Sequence, residues 1–193
     1  MKEKTAQLKD IYAAFEADTH DLVKGSACTR GCSFCCREAG SIDITALEGM
    51  VIRKAMDKMP KSRQKTLTKA FRSEIKQREA GKAVACPFLM KNNACMIYED
   101  RPFSCRRIYS AHVCGQDAPP AVSRQVMERA DQTIAALQKL DNTGYSGHLS
   151  YILYMLSVPA FLKTYTAGEF KPEEIMEFGK AHRIVINRMM VRG

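Results

Sequence analysis

Four of the eight cysteines in this 193-residue chain fall within nine positions, Cys28-Thr29-Arg30-Gly31-Cys32-Ser33-Phe34-Cys35-Cys36. No other stretch constrains the fold as strongly. A cluster of that density, spaced C-x3-C-x2-C-C, serves a metal site, a redox pair or a disulfide knot. Cys28 and Cys32 are four apart and Cys32 and Cys35 three apart, so on one helical turn or a tight loop their sulfurs can converge on one centre. Cys36 cannot easily follow, because adjacent side chains diverge by about 100° on a helix. Either it serves a second centre, or one larger cluster is gripped from different sides.

Size and composition narrow the choice. With 46% apolar and 26% charged residues, the chain can bury a full core without metal or disulfides, unlike chains of fewer than roughly 40 residues. The N-terminus, Met1-Lys2-Glu3-Lys4-Thr5, leads into polar sequence with no apolar h-region. The longest apolar run, Leu149 to Leu162, is interrupted by Ser150, Ser157 and Pro159 and falls short of the roughly 20 residues that cross a bilayer. Both features imply a soluble cytoplasmic protein with no membrane partner. In that compartment cysteines act as ligands or redox groups rather than as structural disulfides.

The rest of the sequence reads as a single, mainly α-helical domain over 1–193, with a cysteine-cluster region at about 25–115 and a helical scaffold from 1–24 and 120–190. Leu8, Ile11, Tyr12 and Phe15 set a helical stripe over 3–24. Thr45 and Glu48 form a capping box that opens a second helix, which Pro60 ends. A third helix, about 62–80, carries the narrow stripe Leu67, Phe71, Ile75 and should be largely exposed. Residues 82–120 hold Cys86, Cys95, Cys105 and Cys114 among turn signals, and so long an irregular stretch needs something to hold it. Helices are expected at 121–140, at 147–163 with Pro159 kinking or ending it, and at 172–190. No alternating strand run is present.

Zinc and the iron of iron–sulfur clusters are the metals that accept all-thiolate ligation. Structural zinc usually uses two short C-x2–4-C pairs, whereas here the later cysteines are nine or ten residues apart. Three thiolates on one loop with a distant fourth fit an iron–sulfur cluster, and Cys86-Pro87 matches the Cys-Pro ending of some cluster motifs. Cys28-x3-Cys32-Ser33-Phe34-Cys35 also resembles the signature of radical S-adenosylmethionine enzymes. Those enzymes carry it on a βα barrel, for which no βα alternation is found.

Cys86-Pro87-Phe88-Leu89 and Cys95-Met96-Ile97-Tyr98-Glu99-Asp100-Arg101-Pro102-Phe103-Ser104-Cys105-Arg106, taken with the upstream cluster, resemble the zinc- or iron-chelating CxxCxxCC cysteine-cluster family. That family is itself similar to a region of the flagellin lysine methylases. The resemblance covers about 28–109 and implies metal ligands at Cys28, Cys32, Cys35, Cys36, Cys86, Cys95 and Cys105. Cys114 lies outside the matched part and joins as a further ligand candidate. No glycine-rich loop after a strand is found, so the resemblance supplies a site and no methylase reaction.

Arg30, Arg37, Arg101, Arg106 and Arg107 flank these cysteines and could balance the negative charge of a thiolate-bound cluster, Arg101 and Arg106 above all. Tyr98 with Arg101-Pro102 would order the loop between Cys95 and Cys105. His112 reads as a surface residue, with nitrogen ligation as its alternative; His20, His148 and His182 read as structural residues on helices. Eleven basic residues against three acids give 53–82 a charge of +8, nearly the whole excess of +9. With Phe71 claimed by the apolar stripe, no base-stacking platform remains, so a solvated basic helix is favoured over nucleic-acid binding. Three functions follow: an iron–sulfur (4Fe–4S) protein with redox or enzymatic work and an electron-transfer or protein partner; a structural zinc module presenting a basic surface to nucleic acid or an acidic protein; and a small radical enzyme.

Overall fold

The computed structural model describes residues 1–29, 31–38, 41–169 and 172–187. In chain order the elements are α1 (Lys2–Thr19), α2 (Phe34–Glu38), β1 (Asp43–Thr45), α3 (Ala46–Asp57) and α4 (Lys61–Glu79). A 3-10 turn (Tyr98–Asp100), α5 (Phe103–Arg106) and α6 (Arg124–Leu140) follow. The C-terminal part holds β2 (Tyr145–His148), α7 (Leu149–Ser157), α8 (Pro159–Ala167), α9 (Pro172–His182) and β3 (Val185–Ile186). The fold is mainly α-helical, as the periodicity predicts. Among the described residues no helix is long and apolar enough to cross a membrane.

The expected elements are corrected in three places. The chain forms a small antiparallel sheet, ordered β1-β2-β3, with Ile44 opposite Gly147 and Ser146 opposite Val185. The 147–163 segment is two helices, because Pro159 has no amide to continue α7 and instead occupies the first turn of α8. The last helix stops at His182, and Arg183, at φ 53°, turns the chain toward β3. His148 therefore lies at the end of a strand, where its Nδ1 accepts from the Ser150 amide and caps α7.

Two apolar clusters hold the scaffold. One joins Leu8, Tyr12 and Phe15 of α1 to Leu47 of α3, Phe103 of α5 and Val126, Ala130 and Leu137 of α6. The other gathers Ile44 and Ile52, Leu67 and Phe71 of α4, and Ile152, Leu153, Met155 and Leu156 of α7. The outer face of α4 carries exposed Lys61, Arg63, Lys65, Lys69 and Arg72. Its inner face buries Glu74, paired with Arg78 at 2.9 Å and bonded by the Ser150 hydroxyl. Burial raises the Glu74 carboxyl against the opposing pull of Arg78.

The first turn of α3 is capped from two directions. Thr45 Oγ1 accepts from the Glu48 amide, and Glu48 accepts from the Thr45 amide at 2.8 Å, completing the capping box. Asp141, at the C-terminal end of α6, reaches across to accept from the Leu47 amide at 2.8 Å and from the Tyr165 hydroxyl at 2.9 Å. Gly144 lies so close that a β-carbon there would sit 2.2 Å from Asp141 Oδ2. Gly144→Ala must displace the carboxylate and break this cap. It is expected to cost about 3 kcal/mol, the sum of overpacking and a lost buried bond; urea unfolding measures it, and a cost under about 1 kcal/mol would show that Asp141 can move freely.

Candidate metal centre

The irregular stretch between α4 and α6 is nailed to the scaffold by three apolar anchors: Phe88, Ile97 and Phe103, at 1%, 5% and 2% exposure. Phe88 meets Phe71 edge-on with ring centroids 5.2 Å apart, and Phe103 meets Phe15 edge-on at 4.8 Å. Each anchor lies two residues from a cysteine, Cys86, Cys95 or Cys105. Burying the anchor therefore sets down the neighbouring thiol, and all three cysteines pack against the cluster that contains Phe88 and Ile97.

The first cysteine stretch is a turn followed by a short helix. The Cys32 amide donates to the Thr29 carbonyl at 3.0 Å, after which α2 carries Cys35 and Cys36 side by side. Two backbone connections tie this stretch to the later loops. The Cys86 amide donates to the Cys36 carbonyl at 2.7 Å, and an isolated bridge between Leu89 and Cys95 folds Cys95 back toward Cys86. On the other side, the Ala27 amide donates to the Ser110 carbonyl at 2.9 Å and the Ser110 amide to Cys28 Sγ at 3.2 Å.

Ser110 is fully buried and organises the loop that carries Cys114. Its hydroxyl donates to the His112 carbonyl and accepts from the Ala121 amide, closing residues 110–121. No pattern in the sequence marks Ser110, since the partners that tie it beyond its own turn, Ala121 and Cys28, lie 11 and 82 residues away. The His112 ring is exposed and its Nε2 lies 3.0 Å from the Pro119 carbonyl, a loop contact.

All eight cysteines are free thiols; Cys32 is exposed and the others are half-buried. Burial pushes the Cys35 thiol up to about 11, with further contributions from Cys28, Cys114, Cys36 and Cys32 in that order. Burial likewise pushes Cys86 up to about 12, helped by Cys36 and Cys95. Cys105 is raised by burial and by Cys86, Cys36 and Cys95, and Cys36 by burial and by Cys95 and Cys32. Burial thus favours the protonated form of Cys35, Cys36, Cys86, Cys95 and Cys105. Among the described residues, no group of three or more His, Cys, Asp or Glu side chains is arranged to hold a metal ion as it stands. The donor set suits a thiophilic metal, and closure on it calls for side-chain rotation and loss of the thiol protons.

The flanking arginines divide by task. Arg101 lies over the Tyr98 ring at 4.0 Å and pulls down the thiols of Cys95 and Cys105, while Arg37 does so for Cys36. Arg106 does different work from its expected charge balance: its guanidinium is committed to the Arg101 and Glu99 carbonyls and to Glu16 at 2.9 Å, stapling the loop. Arg107 follows directly as the cap residue of α5. Arg30 lies outside the described residues.

A cavity of about 330 Å³ opens beside the staple, lined by Tyr12, Glu16, Glu48, Glu99, Asp100 and Arg106 among others. Glu48 and Arg106 there are already engaged, Glu48 with the Phe103 amide and the Tyr12 hydroxyl.

Comparison with known proteins gives one match. The model of the CxxCxxCC family, described as a "putative zinc- or iron-chelating domain", matches residues 27–138. It runs past the region that carries the sequence resemblance and takes in Cys114 and most of α6. The first interval here, Cys28 to Cys32, is one residue longer than the family's name implies. No curated protein and no solved structure matches the chain. Metal binding by a cysteine cluster, with zinc and iron both named, is what the match contributes. With more than half of its 193 residues inside that match, and with all eight cysteines among them, the chain belongs to the CxxCxxCC family.

Proposed function

We propose that this protein holds iron–sulfur chemistry on its cysteine thiolates and uses it for redox or enzymatic work. The observation that carries the reading is the ligand spacing: Cys28, Cys32, Cys35 and Cys36 fall within nine residues, and the four later cysteines stand nine or ten residues apart with no short pair among them. Iron–sulfur clusters accept that distribution, whereas structural zinc draws on short paired knuckles. A bound cluster would supply one-electron transfer. The chain's own contribution is to bring the thiols together, to direct the Ser110 amide at Cys28 Sγ, and to set Arg37 and Arg101 beside the thiols of Cys36, Cys95 and Cys105. N–H···S bonds and nearby positive charge stabilise the reduced, more negative state of such a centre.

Protein purified without oxygen is expected to contain iron and acid-labile sulfide and to show visible charge-transfer absorption that dithionite bleaches. Zinc without iron or sulfide would overturn the reading. The exposed basic face of α4 favours a second reading, a zinc module that docks an acidic protein or nucleic acid through Lys61, Arg63, Lys65, Lys69 and Arg72. That protein would be colourless, and would bind its partner less tightly as salt rises. The radical-enzyme reading requires an iron left open by the three thiolates of the first loop, with Cys114 standing apart.

A further inference from the structure

We infer that the eight cysteines build two separate four-thiol centres, one from Cys28, Cys32, Cys35 and Cys114, the other from Cys36, Cys86, Cys95 and Cys105. The inference rests on the metal-binding reading above and adds the partition, which neither the family description nor the spacing contains.

The backbone draws the boundary. On one side, the loop holding Cys114 is closed by Ser110, and Ser110 is tied directly to Ala27 and to Cys28 Sγ. This ties the loop that carries the last cysteine of the chain to the first, 86 positions away in sequence. On the other side, the Cys86 amide is bonded to the Cys36 carbonyl, the Leu89–Cys95 bridge returns Cys95 to the same corner, and Cys86, Cys95 and Cys105 share one apolar bed.

The helix α2 explains how one stretch serves both sides. Cys35 and Cys36 are successive residues on it, so their side chains leave the axis about 100° apart. With the Cys36 carbonyl bonded to the Cys86 amide, Cys36 is assigned to the Cys86–Cys105 set and Cys35 to the Cys28–Cys114 set. Four thiolates complete the shell of one tetrahedral zinc or one cubane cluster, so each set is sufficient for a centre without the other.

The test counts metal in the full-length chain. Wild type is reconstituted anaerobically with ferrous iron and sulfide and, in parallel, with cobalt(II) alone. Two double variants follow, Cys28→Ser/Cys114→Ser and Cys86→Ser/Cys105→Ser. Each pair is expected to halve the metal bound and to leave the remaining half with an unchanged absorption spectrum; cobalt binding should fall from about two equivalents to one. Circular dichroism verifies that each variant is folded, and the single variant Cys32→Ser, at the exposed position, provides a check that disturbs no packed residue. One centre's worth of metal in wild type, abolished by either pair, would overturn the partition while leaving metal binding intact. Failure of wild type to take up iron or cobalt would overturn the metal-binding reading itself.

Discussion

Glu48→Ala is expected to destabilise the protein by about 4 kcal/mol, since each buried donor left unpaired costs about 1–3 kcal/mol. Glu48 is 3% exposed and accepts from three elements at once. The Thr45 amide reaches it at 2.8 Å, the Phe103 amide at 2.8 Å and the Tyr12 hydroxyl at 2.5 Å. Alanine would strand all three donors in the core. Glu48→Gln keeps a carbonyl oxygen but turns an amide toward donors, so an intermediate loss is expected. The damage also reaches the cysteines, because the Phe103 amide is the first of α5, which carries Cys105. Urea unfolding of Glu48→Ala beside wild type measures the effect. A loss under about 1 kcal/mol would mean that water reaches the donors and that Glu48 is not the joint between α1, α3 and α5.

Stripping the metal is expected to loosen residues 82–121 while leaving the helical scaffold folded. Both apolar clusters are built largely from α1, α3, α4, α6 and α7, so the helices do not depend on an ion for their burial. The cysteine loops contribute only a 3-10 turn and the four-residue α5 as regular structure. Ligand binding at a thousandfold excess over its dissociation constant stabilises by about 4 kcal/mol. Hydrogen exchange in 82–121 should therefore accelerate by roughly a thousandfold on chelation, with α1 and α6 unaffected and the helical circular dichroism retained. Cooperative loss of helix on chelation would refute this and would align the chain with small zinc modules that fold only with metal.

The helices were legible because their signals are local. The α1 stripe of Leu8, Tyr12 and Phe15, the Thr45–Glu48 capping box and the breaks at Pro60 and Pro159 all lie within a few residues of what they control. The sheet was not legible, because Tyr145-Ser146-Gly147-His148 has no alternating pattern and becomes a strand only when β1 and β3 pair with it. The cysteines announced a site and named its ligand candidates, but their grouping depends on bonds such as Cys86 to Cys36 and Ser110 to Cys28, across 50 and 82 residues. Asp141 is invisible for the same reason: a residue that caps a helix 94 positions upstream leaves no mark beside that helix. Arg106 shows the reverse error, in which nearness to Cys105 in sequence suggests a charge role while the side chain faces the loop carbonyls.

The placement of an apolar anchor two residues from Cys86, Cys95 and Cys105 bears on how the protein acquires its metal. Closing the 50-residue interval between Cys36 and Cys86 in a free coil would cost about 3.5 kcal/mol in chain entropy. Here the packing of Phe88 on Phe71 helps to hold that interval closed. Apolar packing thus meets part of the ordering cost, and more of a metal's binding energy is left for affinity. The scaffold is in this respect built ahead of the site, with the metal left to order the loops that carry its ligands.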